Sequence, residues 1–337
     1  MASEIRHFTI PVFIPMQGCP HACVFCDQRK ITSGNVAPDD IGIINRIEKH
    51  LETIPRLNSK IEIGFFGGSF TGLTIERQKH YLSLVQPWLK SGIISGIRIS
   101  TRPDYINDEI LQILKDFGVI TIELGAQSLD NEVLQLAGRR HTSEQVRQAA
   151  ELIKKSGFSL GLQMMLGLPG DTLQKSINTA KGIISSGADC TRIYPTLVVR
   201  NTDLETIYKN GDYQPLTLNE AVEWCSSIVP LFEEAKVKIL RIGLHPGEGM
   251  IHGNDIIAGP FHVAFGELVH TALWKDVLLK IPEDQSAAIT VFVSPGQLNS
   301  AIGHKGNNKK LLQQRFRDVK FKADQNLVER EFYVDHR

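Results

Sequence analysis

The sequence predicts an α/β fold: a partial (β/α)6 TIM-like barrel followed by a small C-terminal α+β domain. Three observations lead to this prediction. Short segments rich in β-branched residues alternate with amphipathic helical patterns through the first 245 residues. Glycines and polar residues follow these segments directly, and the residues after 284 break the alternation. Alternating strands and helices imply a parallel sheet joined by right-handed crossovers.

The predicted strands are short and bounded by turn residues. The first lies at residues 8–15, and the others lie at 61–66, 96–100, 119–124, 159–165, 191–197 and 237–242. Apolar residues recur at helical spacing in the long segments 75–90, 143–156 and 218–235. We therefore predict a barrel at 1–245, a connecting loop or helical segment at 246–284, and a small domain at 285–337.

Composition is that of a soluble globular protein. Hydrophobic residues make up 42% and charged residues 22% of the 337 residues. No apolar run approaches the roughly 18 to 20 residues of a membrane span, and the N-terminus lacks a secretory signal, so we expect a cytoplasmic protein without a membrane partner. Lys and Arg number 37 against 37 Asp and Glu. A nucleic-acid partner must therefore be sought in local patches of charge.

Three cysteines follow the first predicted strand, at Cys19, Cys23 and Cys26. A structural zinc site takes four ligands, whereas an iron–sulfur cluster held by three thiolates keeps one iron open. His21 is the alternative fourth ligand of a zinc site, but it lies two residues from each neighbouring cysteine and would crowd a tetrahedron. A disulfide is disfavoured because the expected compartment is reducing. The spacing favours a cluster with an open position.

Turn and polar residues also follow the later strands. They are Gly67 to Ser69, the TRPD segment at 101–104, the GAQS segment at 125–128, the GLPG segment at 167–170 and the dipeptide at 195–196. In barrels and open α/β sheets the carboxyl ends of the strands carry the active site. Each segment alone is explained by an ordinary turn or an exposed charge. Together with the cysteine loop they indicate a functional site.

These motifs together resemble the radical S-adenosylmethionine (SAM) enzymes. Those that carry the resemblance are the three cysteines, the Gly-Gly turn, TRPD, ELGAQS at 123–128 and MLGLPG at 165–170, continued by RIYPTL at 192–197 and RIGLHP at 241–246. Within the superfamily the chain is most similar to the branch of the catalytic subunit of Elongator, which modifies the wobble uridine of transfer RNA. The resemblance implies a [4Fe–4S] cluster on the three cysteines. Its open iron would bind SAM, and an external one-electron donor such as flavodoxin or ferredoxin would drive cleavage to a 5′-deoxyadenosyl radical.

The resemblance also implies a set of SAM-binding residues: Phe25, Gly67, Gly68, Ser69, Ser100, Gln127, Arg139 and Gln163. The two glycines admit the methionine amino group, and Phe25 either packs on the adenine or is a core aromatic. Ser100 stands where related enzymes often carry a carboxylate for the ribose. Arg139 and Gln163 occupy positions that contact SAM in oxygen-independent coproporphyrinogen oxidases, with Arg140 as a competitor for the carboxylate.

The chain also departs from the Elongator pattern. The Elongator subunit has a longer first gap between its cysteines, a basic N-terminal extension and an acetyltransferase domain. This chain ends before such a domain would fit, so we do not expect acetyl-coenzyme A chemistry by inheritance alone.

The C-terminal part contains the order strand, helix, GxxG, helix, strand, which resembles a KH-type RNA-binding module. The predicted pieces are a strand at 288–293, a helix start at 294–295, the GHKG turn at 303–306, a helix at 307–316 and a strand at 319–323. Between 301 and 322 seven basic residues face a single acidic one, Asp318. The alternative is a common glycine turn beside a solvated basic helix. The predicted RNA-binding residues are Gly303, His304, Lys305, Gly306, Lys309 and Lys310.

Three histidines in glycine-rich loops, His245, His252 and His262, either line a substrate pocket or satisfy backbone groups. No residue is assigned as the catalytic group. The sequence thus predicts a radical SAM enzyme that modifies RNA, most simply a transfer RNA base. The alternatives are a coproporphyrinogen oxidase-like or other small-molecule radical enzyme, and a non-catalytic RNA-binding iron–sulfur protein.

Overall fold

The computed structural model describes residues 5–14, 18–19, 23–26, 39–244 and 255–336. Its strands in chain order are β1 (Arg6–Phe13), β2 (Ser59–Phe66), β3 (Gly96–Thr101), β4 (Val119–Gln127), β5 (Ser159–Leu166), β6 (Cys190–Pro195), β7 (Val198–Val199), β8 (Lys238–Ile242), β9 (Ile256–Ala258), β10 (Asp284–Val293), β11 (Phe316–Ala323) and β12 (Phe332–His336).

The α-helices in chain order are α1 (Asp40–Thr53), α2 (Ile75–Leu84), α3 (Gln86–Lys90), α4 (Asp108–Asp116), α5 (Asn131–Leu136), α6 (Ser143–Lys155), α7 (Leu173–Ser185), α8 (Asp203–Lys209), α9 (Leu218–Glu234), α10 (Phe265–Leu278), α11 (Leu298–Ile302) and α12 (Asn307–Gln313). Short 3₁₀ helices lie at Phe70–Gly72, Pro103–Tyr105, Pro295–Gln297 and His304–Gly306.

Seven strands form one sheet in the order β1-β2-β3-β4-β5-β6-β8. Every neighbouring pair is parallel. Because β1 and β8 are the two edges, the sheet is an open part of a barrel. The predicted fold class is confirmed, and each of the strands predicted for the barrel lies in this sheet.

Alternation along these strands separates an apolar face from a polar one. On β4 and β5 the apolar positions Ile122, Leu124, Leu160 and Leu162 are fully buried. The positions between them carry polar side chains such as Glu123. Since all the strands are parallel, their carboxyl ends and the loops that follow them lie at one edge of the sheet.

Two predicted helices are wrong in extent. The segment predicted as a single helix at 75–90 is two helices, α2 and α3, joined at Val85. Pro87 in the first turn of α3 has no N–H to donate, so a continuous helix would lose a hydrogen bond there and clash with the preceding turn. Similarly, the predicted helix at 307–316 ends at Gln313, and Phe316 begins β11.

The chain divides into two compact units. The first comprises Met1–Leu216 and Leu231–Pro260, and the second comprises Thr217–Pro230 and Phe261–Arg337. In the second unit a three-stranded sheet has the order β11-β10-β12, with β10 parallel to β11 and antiparallel to β12. Its core includes the buried Trp274, Val291, Leu312 and Phe316. The domain boundaries at 245 and 285 stay predictions.

No helix in the described part of the chain is long and apolar enough to cross a membrane.

Candidate active site

The second half of the cysteine loop is fixed by backbone hydrogen bonds. Cys26 N–H donates to the Cys23 carbonyl (3.0 Å), which closes a turn between the two cysteines. Val24 N–H donates to the Ala137 carbonyl (3.2 Å), and Leu204 N–H donates to the Val24 carbonyl (2.8 Å). The loop is therefore held between the segment after α5 and the start of α8.

The first half of the loop packs backbone against backbone. Gly18 has φ +71°, and a Cβ placed there would lie 2.1 Å from the Ser69 carbonyl oxygen. A Cβ on Gly72 would lie 2.1 Å from the Gly18 carbonyl oxygen. Both positions require glycine, and together they bring Cys19 beside the loop after β2. Neither glycine belongs to the predicted site residues, because the contact joins segments far apart in sequence.

The loop after β2 and the end of β3 are joined by hydroxyl groups. Ser69 Oγ lies 3.1 Å from Thr101 Oγ1 and accepts a hydrogen bond from Arg102 N–H (3.0 Å). Thr71 Oγ1 lies 2.6 Å from the same Thr101 oxygen. The Ser69 hydroxyl is thus occupied within the protein, while the Ser69 backbone N–H donates to the Cys19 thiol. Gly67, the first residue of this loop, has φ +107°, a region that favours glycine.

Two arginines lie beside the cysteines. Arg139 donates from Nη1 to Cys23 Sγ (3.3 Å) and from Nη2 to the Gly125 carbonyl oxygen. Its neighbour Arg140 is exposed, so Arg139 is the one that faces the loop. Arg102 is buried and lies within electrostatic range of Cys19 and Cys23. Burial raises the pKa of the Cys19 thiol, and Cys23 raises it further, while Arg102 and Arg139 oppose that shift.

Gln127 is strained and incompletely partnered. Its φ is +66° at an irregularity in the pairing of β4 with β5, and its buried Oε1 accepts no hydrogen bond from a described residue. A Cβ on Gly125 would lie 2.9 Å from Gln127 Nε2 and 3.5 Å from Arg139 Nη2, so that glycine makes room for both side chains. Strain beside an unpartnered buried oxygen is typical of a ligand-binding position.

A buried ionic network lies on the polar face of the sheet. Glu123 Oε1 pairs with Arg98 Nη1 (2.8 Å), and Glu123 Oε2 pairs with Arg192 Nε (2.6 Å). Arg98 also pairs with Glu62 (2.9 Å). Burial opposes ionisation of Glu123, but the two guanidiniums outweigh it and hold the pKa of Glu123 below its usual range. Two carboxylates thus balance two guanidiniums, as buried charges require.

This network reaches two of the predicted SAM-binding residues. Gln163 Nε2 donates to Glu123 Oε2 (3.0 Å) and to Ser100 Oγ (3.4 Å). Ser100 and Glu123 are register partners on β3 and β4. The carboxylate of Glu123 therefore lies on β4, beside Ser100. In the family pattern the carboxylate is instead on the strand of Ser100, which is β3 here. Glu62, Arg98 and Arg192 have no predicted role; their signal in the sequence is a charged residue inside a mainly apolar strand.

Phe25 packs in an apolar cluster with Val133, Ala137 and Leu168. The structure therefore places it as a half-buried core aromatic, and its contact with adenine stays a prediction. Gly68 lies next to Gly67 at the carboxyl end of β2, as the sequence predicts.

The residues present fit a cluster with SAM. In the described part of the chain no three ligating side chains converge on one point as around a single metal ion. Cluster cysteines bind different irons, so they need not converge. Three observations favour the fit. A peptide N–H and two guanidiniums lie beside the thiols, and three buried atoms have no hydrogen-bond partner among the described residues: Gln127 Oε1, Arg139 Nε and Thr196 Oγ1.

The predicted RNA-binding residues form a separate turn in the second unit. Gly303 and Gly306 have φ of +85° and +74°, and Lys305 between them has φ +53°. His304 N–H donates to Thr271 Oγ1 (2.8 Å), and the buried Asn308 donates from Nδ2 to the Thr271 carbonyl (3.0 Å). The turn is thus anchored to α10.

The basic residues around this turn do not act alike. Lys305 and Lys310 are exposed, and Lys309 is half-buried. Arg315 instead donates to the carbonyl oxygens of Leu279 (3.2 Å) and Ile281 (2.8 Å). Its charge therefore stabilises the fold of the second unit.

Of the three predicted histidines, only His262 can be placed. Its ring centroid lies 5.4 Å from that of His304. His245 and His252 lie outside the described residues.

A family comparison decides the class of this site. The model of the Radical SAM superfamily matches residues 13–181, which are 169 of the 337 residues. The chain belongs to the radical SAM superfamily. A second model, the Radical_SAM C-terminal domain, matches residues 188–275. Members are enzymes that bind a [4Fe–4S] cluster and SAM, so these cofactors, predicted from the motifs, are confirmed.

Relatives place the chain near Elongator-type proteins, as the motifs predict. The chain is 28% identical to the tRNA uridine(34) acetyltransferase of Methanocaldococcus jannaschii, over 79% of this chain and 55% of the relative. It is 30% identical to human Elongator complex protein 3, over 56% of this chain and 38% of the relative. The structure of archaeal Methanocaldococcus infernus Elp3 aligns with a TM-score of 0.67 at 25% identity, over 82% of this chain and 64% of the other. The chain thus spans about half the length, or less, of these curated relatives.

Proposed function

We propose that this radical SAM enzyme modifies RNA and that its substrate is a base of transfer RNA. The observation that carries the proposal is the similarity to a tRNA uridine(34) acetyltransferase over most of the chain. The similarity in fold to an archaeal Elp3 supports the same assignment. Because the chain spans only about half of that relative, the acetyl transfer itself is not part of the proposal.

In this proposal Cys19, Cys23 and Cys26 hold the cluster, which together with SAM supplies a 5′-deoxyadenosyl radical. Gly67 and Gly68 let the backbone approach the methionine part of SAM, since neither has a side chain. Ser69 contributes through its backbone, because its hydroxyl binds Thr101 and Arg102.

The remaining contacts with SAM fall to polar side chains at the strand ends. Gln127 offers its Oε1 to a ribose hydroxyl, and Arg139 offers its Nε to the carboxylate; neither atom has a hydrogen-bond partner in the part of the chain that the structure describes. Gln163, held by Glu123, orients its amide toward Ser100, where the second half of a ribose site would form. Phe25 borders the site from its apolar side.

RNA binding is assigned to the KH-like segment of the second unit. The GHKG turn offers a phosphate the positive charge of its exposed lysines, Lys305 and Lys310. The backbone N–H groups of Gly303, His304 and Gly306 are already hydrogen-bonded within the second unit. The buried Gly303 and the half-buried His304, Gly306 and Lys309 complete the predicted RNA-binding turn. Such contacts bind the RNA backbone without reading its sequence.

The proposal also includes an external one-electron donor such as flavodoxin or ferredoxin, because reduction of the cluster needs an electron that SAM does not supply. A cytoplasmic location fits this chemistry, since cluster thiolates must stay reduced. All five cysteines lie among the described residues, and none of them forms a disulfide there.

The experiment that tests the proposal compares nucleosides of transfer RNA from wild-type and deletion strains by mass spectrometry. RNA lacking the modification is then incubated anaerobically with the reconstituted enzyme, SAM and dithionite. We expect one nucleoside to be absent in the deletion strain and restored in the reaction. Unchanged nucleosides, with 5′-deoxyadenosine still released, would favour a small-molecule substrate of the coproporphyrinogen oxidase type. Absence of 5′-deoxyadenosine would favour a non-catalytic RNA-binding protein.

A further inference from the structure

Arg102 is a buried cation beside the cysteine loop that has no part in the proposed SAM contacts. Only 5% of the residue is exposed. Its guanidinium makes a two-point contact with Asp104, from Nε to Oδ1 and from Nη2 to Oδ2, each of 2.9 Å. The backbone N–H of Arg102 is held separately by Ser69 Oγ (3.0 Å). The side chain is therefore fixed in place before any ligand binds.

The charge of Arg102 interacts with groups on the cysteine loop as well as with Asp104. The charged and titratable groups that interact electrostatically with Arg102 are Asp104, Cys19, Cys23, Tyr105 and His141. Asp104 is more exposed than Arg102, with side-chain exposures of 24% and 6%. The positive end of the pair is thus its more buried end, within electrostatic range of the buried Cys23 and the half-buried Cys19. Buried charges are screened by salt much less than exposed ones, so this field acts on the cysteine loop at any ionic strength.

We propose that Arg102, oriented by Asp104, sets the reduction potential of the [4Fe–4S] cluster. When the cluster is bound, the external donor would supply one electron and take the cluster from the 2+ to the 1+ state, with no bond formed or broken. The cluster with its thiolates is then more negative by one charge. A fixed guanidinium stabilises the more negative state, so it raises the potential and makes reduction by the donor easier.

Arg102 acts through the cluster and has no contact with the RNA substrate in this proposal. Arg139 contributes to the same field through its hydrogen bond to Cys23 Sγ, but it also has a proposed role toward the SAM carboxylate. A measurement without SAM separates the two roles. Arg140 offers a matched control, since it carries the same charge and follows Arg139 directly in the chain but is exposed to solvent.

The test is a reductive titration of the reconstituted cluster, without SAM or RNA, followed by electron paramagnetic resonance. Arg102→Gln should lower the equilibrium constant for reduction about tenfold, which for one electron is about 59 mV. Asp104→Asn should shift the potential in the opposite direction, because the guanidinium then acts without its counter-charge. Arg102→Lys should shift it less than Arg102→Gln, and Arg140→Gln should leave it unchanged.

Opposite shifts in the Arg102→Gln and Asp104→Asn proteins cannot come from a general loosening of the loop. If Arg102→Gln fails to bind iron, Asp104→Asn and Arg102→Lys still decide the question. Equal potentials in wild type and Asp104→Asn, or an equal shift in Arg140→Gln, would overturn the inference. The inference rests on the three cysteines as cluster ligands. Failure of that assignment is distinguishable, since Cys19→Ala would then retain its iron.

Discussion

The cysteine loop and the GHKG turn both combine glycines with basic residues, but the basic side chains are enclosed at the first and exposed at the second. In each, glycines with positive φ shape a turn beside basic side chains. Around the cysteine loop the guanidiniums of Arg102 and Arg139 are enclosed and hydrogen-bonded within the protein. Around the GHKG turn Lys305 and Lys310 are exposed. The first arrangement suits a small group bound in one fixed place, and the second suits a flexible chain of phosphates.

The largest expected effect comes from the cysteines themselves. Cys19→Ala, Cys23→Ala or Cys26→Ala should abolish bound iron and lower 5′-deoxyadenosine release by more than about 100-fold, since even outer-shell partners of a metal are worth 10- to 100-fold. Iron and sulfide analysis after anaerobic reconstitution measures the first quantity. Cys225→Ala, at a buried position of α9, is the control and should keep its iron. A wild-type iron content in all three loop variants would show that the cysteine loop does not hold the cluster.

The next effect concerns the ionic network on the polar face of the sheet. Glu123→Gln leaves Arg98 and Arg192 without their shared carboxylate, and breaking a buried pair costs about 3 to 5 kcal/mol. Urea unfolding should show this loss of stability, whereas Glu151→Gln on the exposed side of α6 should show almost none. A loss below about 1 kcal/mol would mean that water already screens the network.

A smaller effect is expected at the GHKG turn. The double variant Lys305→Ala/Lys310→Ala should reduce the slope of log K against log salt for transfer RNA by about 1.4, because each phosphate contact on a single strand contributes about 0.7. Filter binding at several salt concentrations gives the slope. Lys49→Ala/Lys90→Ala removes two exposed lysines elsewhere and should leave it unchanged. Equal slopes in both double variants would remove the distinction between the two regions.

The smallest effect is a pH dependence inside the first unit. His141 is buried, and its Nε2 lies 3.2 Å from the Ala126 carbonyl oxygen. Burial, reinforced by Arg139, lowers the pKa of His141 from 6.5 to about 3. Between these values the unfolded chain binds a proton and the folded one does not, so stability falls with falling pH, by at most about 1.4 kcal/mol per pH unit.

The variant His141→Gln should remove that part of the dependence. Urea unfolding at pH 6.5 and at pH 5 would show a smaller difference in the variant than in wild type. His50→Gln, at an exposed position of α1, should retain the wild-type difference. An identical pH dependence in all three proteins would show that folding does not lower the pKa of His141.

The sequence predicts those parts of the site that are local. The cysteine spacing and the strand-end motifs are each contained in a few residues, and a parallel sheet brings all strand ends to one side. The resemblance to radical SAM enzymes implies Gln127 and Arg139 as SAM-binding residues, and the structure brings their side chains together around Gly125.

Features that depend on distant pairs are not predicted. Arg98 and Glu123 are 25 residues apart, and Glu123 and Arg192 are 69 apart, so no local pattern joins them. The contact of Gly18 with Gly72 is of the same kind. Strand β12 is missed because it is short and lies at a sheet edge, where few positions need to be apolar.

The central claim is that one reaction uses both regions, the cysteine loop for the radical and the GHKG turn for the RNA. The direct test measures 5′-deoxyadenosine release with and without unmodified transfer RNA, in wild type and in the Gly303→Asp/Gly306→Asp variant. We predict that transfer RNA stimulates release by the wild type, and that the variant keeps the RNA-free rate but loses the stimulation. Equal stimulation of both proteins, or none in the wild type, would contradict the claim.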